Sequence, residues 1–308
     1  MQVISTIIPI FAVVILGWFA RRRGFMPPEF LGPANQLVYY LAIPALIFRS
    51  ISKASFHTQF NATVLLITLG AAVLAYGSAW LIGRLTRWPR GRIGTFIQCS
   101  AHGNHGYIGL PVAYYFMGES GLAKAGILAG FLMILQNVLS VLALQAGSLE
   151  EVEPGRRLRT IAEKLVRNPV IVSALAGVAA SAVQLSLPAP ATRFMDILSG
   201  LAPPMSLLLI GASLSMEVMR KNLFSVLGSV AIKIVALPLA GLALFAFFGV
   251  SSAEYLPGLI LLATPTATVA YVMAREMHGD DEFAVAAIST STLMSALTYL
   301  VWLMAVGP

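Results

Sequence analysis

The sequence predicts an all-α integral membrane fold: ten transmembrane helices arranged as two inverted five-helix repeats, with the fourth and ninth helices interrupted. Three observations predict it. Charged residues make up only 11% of the 308 residues, against 58% hydrophobic. Apolar runs long enough to cross a bilayer recur along the whole chain. Helix-breaking residues recur at a fixed offset between its two halves.

Soluble domains carry about 25% charged residues, and a mean hydropathy of +0.83 leaves too little polar surface to cover a water-soluble fold. A membrane helix needs about 20 apolar residues. Ten such runs are readable, at roughly 2–20, 30–49, 62–83, 93–117, 121–145, 169–187, 195–216, 222–249, 255–277 and 282–306. The first is expected to be a retained helix rather than a signal peptide, because Arg21, Arg22 and Arg23 follow the apolar run instead of preceding it. One cysteine, Cys99, excludes an internal disulfide and with it a disulfide-stapled secreted domain.

The net charge of +7 invites a nucleic-acid reading, and the placement of the basic residues removes it. Arg21–Arg23, Arg84, Arg87, Arg90, Arg92, Arg156, Arg157, Arg159, Lys164, Arg167, Arg220, Lys221 and Arg275 fall in one set of loops. Only Arg49, Lys53, Lys124 and Arg193 fall in the other. By the positive-inside rule the first set is cytoplasmic, which places both termini outside the cytoplasm. The alternation holds through all ten runs and so supports their number.

Pro9, Gly17 and Pro44 recur as Pro169, Gly177 and Pro204, each 160 residues later. The same offset lays the region around Asn104 on that around Thr264. Between the halves lies the one long polar connector, with Glu150, Glu151, Glu153, Pro154, Gly155, Arg156, Arg157 and Arg159. The expected organisation is a first repeat at 1–147, a cytosolic linker at 148–168 and a second repeat at 169–308. Five helices per half is odd, so the second half enters the membrane from the opposite side, as in many secondary transporters.

The fourth run contains Gly103, Asn104, Gly106, Gly109 and Pro111 within nine residues, too many breakers for a continuous helix. The ninth contains Thr264, Pro265, Thr266 and Thr268. Unwound backbone at membrane depth persists only when buried in protein or lining a watery cavity. Two such breaks at matching places are the best sequence pointer to a transporter binding site. Each frees amides at a half-helix N-terminus, where the dipole favours an anion, and carbonyls that can hold a cation. Asn104 is placed to cap the second half of the fourth helix and to offer its amide to a ligand. The threonine hydroxyls do the same on the other side. The plainer reading is a pair of kinks sealed by neighbouring helices.

The stretch Asn104-His105-Gly106-Tyr107-Ile108-Gly109-Leu110-Pro111 resembles the Asn-x-Gly-(aromatic)-(Met/Ile)-Gly-x-Pro signature of the auxin efflux carrier superfamily, which includes plant PIN-type carriers and bacterial malate or malonate permeases. Asn35 through Pro44 looks like the second helix of that family, and Asn168-Pro169 with Gly177 like the start of its second half. The resemblance runs end to end. It implies ten helices, a five-plus-five inverted repeat and crossing of the broken helices four and nine. It implies a permease for small organic anions working by alternating access. The large cytosolic loop of the long plant carriers is missing, which points to a compact bacterial form in the inner membrane. Members of the family often pair, so a homodimer is allowed, although no dimer face is readable.

Other polar residues fall inside the runs. Gln136 and Asn137 lie midway along the fifth, where an amide pair needs partners. In the resembling family this helix contributes to the substrate site; interhelical hydrogen bonding is the competing role. Lys233 lies deep in the eighth run, where a lysine by default marks function. It can serve as a counter-charge for the anion, as a fixed cation in place of a coupling ion, or as a partner for a carbonyl. His102 and His105 flank Asn104 and titrate in the range where a proton can be coupled. No metal site is expected, since no third ligand accompanies them, and no cofactor. All 13 acidic residues fall in loops or near span ends, which argues against a cation exchanger.

The expected substrate-binding set is therefore Asn104, His105, Gly106, Tyr107, Pro111, Gln136, Asn137, Lys233, Thr264, Pro265, Thr266 and Thr268. The coupling ion is left open between H⁺ and Na⁺. A sodium-coupled symporter of the bile-acid type, with the same crossed helices, is the alternative carrier. A membrane sensor without flux is a third reading. An enzyme is not expected, because no nucleophile–base spacing or nucleotide loop occurs and His105 with Ser100 is the only faint pair.

Overall fold

The computed structural model describes residues 2–53, 60–86, 88–147, 166–185 and 187–306. Most of the expected linker, at 148–165, lies outside the described residues. Among the described residues the chain is helical throughout, with one isolated β-bridge and no strand. This is what a bilayer demands, since backbone polar groups must be satisfied within the segment. The helices are α1 (Gln2–Arg22), α2 (Pro28–Leu37), α3 (Ile43–Lys53), α4 (Ala62–Leu85), α5 (Arg90–Ala101), α6 (Leu110–Gly147) and α7 (Pro169–Ala182). They continue as α8 (Ala189–Gly200), α9 (Ala202–Ser213), α10 (Met216–Ala231), α11 (Leu237–Phe247), α12 (Ser252–Leu262), α13 (Val269–Glu276) and α14 (Asp281–Val306).

Seven helical runs are long and apolar enough to span a membrane: Val3–Arg22, Pro28–Lys53, Ala62–Leu85, His105–Ala146, Ala189–Ser213, Met216–Phe247 and Asp281–Val306. Pro169–Ala182 and Ser252–Leu262 are apolar but shorter. The protein is an integral membrane protein, and the many exposed large apolar side chains, such as Ile15, Leu66, Phe224 and Leu297, suit a lipid surround. The run His105–Ala146 covers what the sequence divides into two helices. At 42 residues it would extend roughly 63 Å at 1.5 Å per residue, about twice a hydrocarbon core. Gly118 interrupts it with φ 70°, a left-handed conformation that costs glycine little.

Three places hold a single wide i→i+5 turn: Val38–Ala42, His105–Gly109 and Ile232–Ala236. Each ends two residues before a proline, Pro44, Pro111 and Pro238. A proline ring clashes with the carbonyl four residues earlier and removes one amide donor. Widening the preceding turn moves that carbonyl aside and lets the helix run on. The sequence expected the chain to break near Pro111 but gave no warning of the turns before Pro44 and Pro238.

The chain forms two compact units. The first comprises Met1–Ala62, His105–Phe131 and Val166–Leu214; the second comprises Thr63–Asn104, Leu132–Leu165 and Ser215–Pro308. Each draws on both halves of the sequence, so the compact units and the expected repeats are different divisions of the chain.

In the first unit α1 packs on α9 and α3 on α7. Glycines permit the closest approaches. A Cβ on Gly17 would fall inside the Leu208 carbonyl, and one on Gly211 inside that of Val14. Small residues at helix contacts are the usual means of tight packing in lipid. Asn168 caps α7, accepting from Val170 N at 3.0 Å and Ile171 N at 3.3 Å, with Pro169 in the first turn. Arg49 joins Asp196 and Glu119, and Lys53 also reaches Asp196 at 3.0 Å. Asp196 thus lies inside α8 rather than at a span end, because this span begins at Ala189 and not near 195.

In the second unit α14 packs against α10, α5 and α13. Phe96 meets Phe283 edge-on at 6.4 Å, and Phe245 stacks on Tyr255 at 4.9 Å. Asp280 ties two elements. Its Oδ1 accepts from Phe283 N at 2.9 Å to cap α14, and its Oδ2 accepts from Arg92 Nε at 2.8 Å at the start of α5.

Candidate functional site: two crossed breaks

The helices α5 and α12 both stop inside the second unit. Past Ala101 the backbone of His102 turns extended, with φ −77° and ψ 101°. Past Leu262 the chain stays non-helical until α13. The two stretches run antiparallel and pair as Gly103 with Thr266. Asn104 N donates to Pro265 O at 2.8 Å, and Ala267 N donates to His102 O at 2.9 Å. A two-fold operation that exchanges Gly103 with Thr266 exchanges these two bonds. Asn104 then corresponds to Ala267, an offset of 163 residues rather than the expected 160, which had set Asn104 on Thr264.

Several further polar groups at the breaks are met by side chains, as membrane-depth backbone requires. Gly103 N donates to Gln136 Oε1 at 3.1 Å, and Gln136 Nε2 donates to Ala101 O at 3.0 Å. On the other side Thr266 N donates to Ser291 Oγ at 3.1 Å. Thr266 Oγ1 reaches across to Cys99 O at 2.9 Å. The last turn of α12 is fully served. Leu259 O accepts from Ala263 N, Ile260 O from the Tyr299 hydroxyl, and Leu261 O from Thr264 Oγ1 at 2.7 Å. Leu262 O accepts from Lys233 Nζ at 2.9 Å.

Lys233 is wholly buried. Of the three roles open to it in the sequence, the structure supplies the carbonyl partner. Its ammonium sits at the C-terminal end of a half-helix, where the dipole favours a cation. The wide turn Ile232–Ala236 carries it, and Trp302 Nε1 donates to Ile234 O at 3.0 Å within that turn.

A third chain of hydrogen bonds leads away from the first break. His102 Nδ1 lies 2.9 Å from Ser140 Oγ, which lies 2.7 Å from the Tyr76 hydroxyl; that hydroxyl donates to Gln136 O at 3.2 Å. All three side chains are buried.

Of the expected site residues, Asn104, Gln136, Asn137, Lys233, Thr264, Pro265, Thr266 and Thr268 belong to the second unit, and all but Asn137 and Thr268 are buried there. His105, Gly106, Tyr107 and Pro111 belong to the first unit, where the Tyr107 hydroxyl donates to Asn35 O at 3.3 Å. Gln136, Thr264, Thr266 and Lys233 hold the broken backbone together. Asn137 and Thr268 are half-buried. Sequence reasoning missed Tyr76, Ser140 and Ser291. The run Ser289-Thr290-Ser291-Thr292, four consecutive hydroxyl residues within an apolar helix, was the available signal for the last.

The model of the family described as membrane transport protein matches residues 2–303. The chain belongs to that family. It is the auxin efflux carrier family that the Asn104–Pro111 motif resembles. A Rhizobium meliloti protein named "Putative malonate transporter" is 26% identical over 299 residues, covering 96% of this chain and 93% of its own. An uncharacterized transporter of Methanocaldococcus jannaschii is 23% identical, covering 97% of each chain. Another, of Methanothermobacter thermautotrophicus, is 22% identical over 97% of this chain and 96% of its own. This member of the membrane transport protein family is a transporter and not an enzyme.

Proposed function

We propose that the protein is a secondary transporter of small organic anions, carboxylates such as malate, malonate or an auxin-like weak acid, that exposes its site alternately to the two sides of the membrane. The observation that carries this reading is the pair of crossed breaks, each sealed on its carbonyl side. Gln136 and Lys233 occupy carbonyls at the half-helix C-termini, and a protonated Lys233 adds a positive charge. An anion is then the ligand that suits this site, held by Asn104, Thr268 and Asn137 near the start of α13, where the dipole favours negative charge. The name of the Rhizobium relative supports a short dicarboxylate.

The two-fold exchange of bonds at the breaks supports two inverted repeats of five spans. The turn at Gly118 supports counting His105–Ala146 as parts of two spans, and with the shorter helices Pro169–Ala182 and Ser252–Leu262 it supports ten in all. The loop charges support termini that lie outside the cytoplasm, and the lack of the large cytosolic loop of the plant carriers supports a compact carrier of the bacterial inner membrane.

Purified protein in proteoliposomes tests the proposal. Malonate, malate, succinate and indole-acetate are presented beside a neutral control, with sodium replaced by choline in half of the runs. Saturable uptake of one carboxylate, reduced at least tenfold by Asn104→Ala in folded protein, is expected. Folded wild-type protein that moves none of them in tracer or current readouts would sink the reading. Strict sodium dependence would favour the bile-acid-type symporter instead.

A further inference from the structure

We infer that His102 is a proton-binding site built into the first break, and that its proton travels with the transported anion. This rests on the anion-carrier reading above and assigns the coupling ion that reading leaves open.

The hydrogen-bond chain engages one nitrogen of the imidazole, Nδ1. The Gln136 carbonyl can only accept, so the Tyr76 hydroxyl proton points to it. Ser140 Oγ, 2.7 Å away, then donates its own proton to the Tyr76 oxygen. With that direction of donation, His102 Nδ1 carries the hydrogen that bridges the 2.9 Å to Ser140 Oγ. The neutral ring has its lone pair on Nε2, and that atom is where a second proton binds.

The backbone of His102 is equally fixed, since its carbonyl accepts from Ala267 N in the crossing. Any change at the breaks is thus felt at this ring.

The surroundings explain why the proton and the anion move together. From α4 the group facing His102 is Tyr76. From α6 come Ser140 and Gln136, both neutral. From its own helix comes Cys99, and from the wide turn after α10 comes the ammonium of Lys233, the charge that acts on His102. The second break, whose Ala267 N binds the His102 carbonyl, carries only neutral side chains from Ala263 to Thr268. Asp280, the acid that acts on Cys99, is engaged by Arg92, which lies roughly 15 Å from His102 along α5 at 1.5 Å per residue. A protonated His102 would be a second cation beside Lys233 in a dry site. Two like charges are sustained there only when an anion joins them. Proton and carboxylate therefore favour each other's binding, and by linkage the effect is reciprocal. The proton enters Nε2 from the side on which the anion binds and leaves on the side where it is released. His102 returns neutral, and one proton crosses with each anion.

Proteoliposomes holding a trapped pH-sensitive dye test this, with an imposed malonate gradient and tracer malonate counted in parallel. Wild-type protein is expected to move protons with malonate, at a rate that depends on pH. His102→Asn places an amide N–H where Nδ1–H stood and cannot titrate. It is expected to keep tracer exchange at a reduced rate and to lose the proton signal to the level of empty vesicles. Tracer malonate moving in wild type without protons would overturn the assignment and leave the carrier reading standing. So would a proton signal undiminished in His102→Asn, which would place the proton on the substrate. If His102→Asn does not fold, His102→Gln, whose amide likewise cannot titrate, is read in the same assay, and a proton signal undiminished there overturns the assignment. Absence of any malonate flux in wild type counts against malonate as substrate, and the ratio is then read on whichever carboxylate is moved.

Discussion

Lys233 Nζ donates to the carbonyl of Leu262 at 2.9 Å, so a lysine buried within a span of the second unit terminates a half-helix at its break. A charge there is expensive unless something holds it. The negative end of α12 supplies that hold, and the carbonyl would otherwise be left without a donor at membrane depth.

Replacing Lys233 by Met keeps the length of the side chain and removes the donor. Hydrogen bonds to charged groups contribute about 1.5–3 kcal/mol, partly offset here by no longer burying a charge. The expected outcome is a small drop in thermal stability with at least a tenfold loss of anion uptake. A thermal unfolding series in detergent, run beside the flux assay, separates the two. Full uptake in Lys233→Met would show that the charge serves packing alone.

Gln136 and Ser291 hold the two amides related by the exchange at the crossing. Gln136→Leu removes two hydrogen bonds and is expected to destabilise by about 2–3 kcal/mol, whereas Ser291→Ala removes one, about 1 kcal/mol. Because Gly103 and Thr266 pair directly, the double variant should be non-additive by about 0.5–3 kcal/mol. A double-mutant cycle on unfolding free energy checks this, and strict additivity would mean that the breaks are held independently.

Gly211→Leu drives a side chain into the backbone of α1 at Val14. Overpacking of this kind costs about 1–3 kcal/mol or more. The variant is expected to unfold at lower temperature or to fail to accumulate. Gly77→Leu, where a Cβ meets open space, should behave as wild type in the same measurement.

Asp280→Ala removes the cap of α14 and the partner of Arg92. Loss of an N-cap acceptor costs about 0.5–2 kcal/mol. Asp280→Asn keeps the cap and weakens the ion pair, so it should retain most of the stability in thermal melts. Equal losses in the two variants would assign the effect to the pair with Arg92 instead.

The helical runs were legible because lipid forces polarity patterns into long blocks, and the breaks were legible because glycine and proline crowd around Asn104 and Pro265. What the sequence could not convey is which groups repair the breaks. Gln136 stands out as a polar residue in an apolar run, yet nothing local says that both ends of its amide face the backbone of Ala101 and Gly103. Tyr76 and Ser140 lie far from His102 in sequence and meet it only through packing. Lys233 was conspicuous, but its role waited on knowing that Leu262 ends a helix. The offset of 160 residues, read from prolines and Gly17, drifts to 163 at the crossing, because the two halves differ by a few residues before their breaks.

The wide turns before Pro44, Pro111 and Pro238 have a consequence for how the chain tolerates length. Each holds one residue more than an α-helix would allot to that turn. Removing a residue from Ile232–Ala236 would rewind the segment into regular helix and rotate one flank against the other by roughly 100°. The chain would grow shorter by a single peptide unit, yet the faces before and after the turn would no longer be in phase. Lys233 could then keep either its place against Leu262 or its neighbours along α10, but not both. In such segments the count of residues, as much as their identity, is a functional constraint.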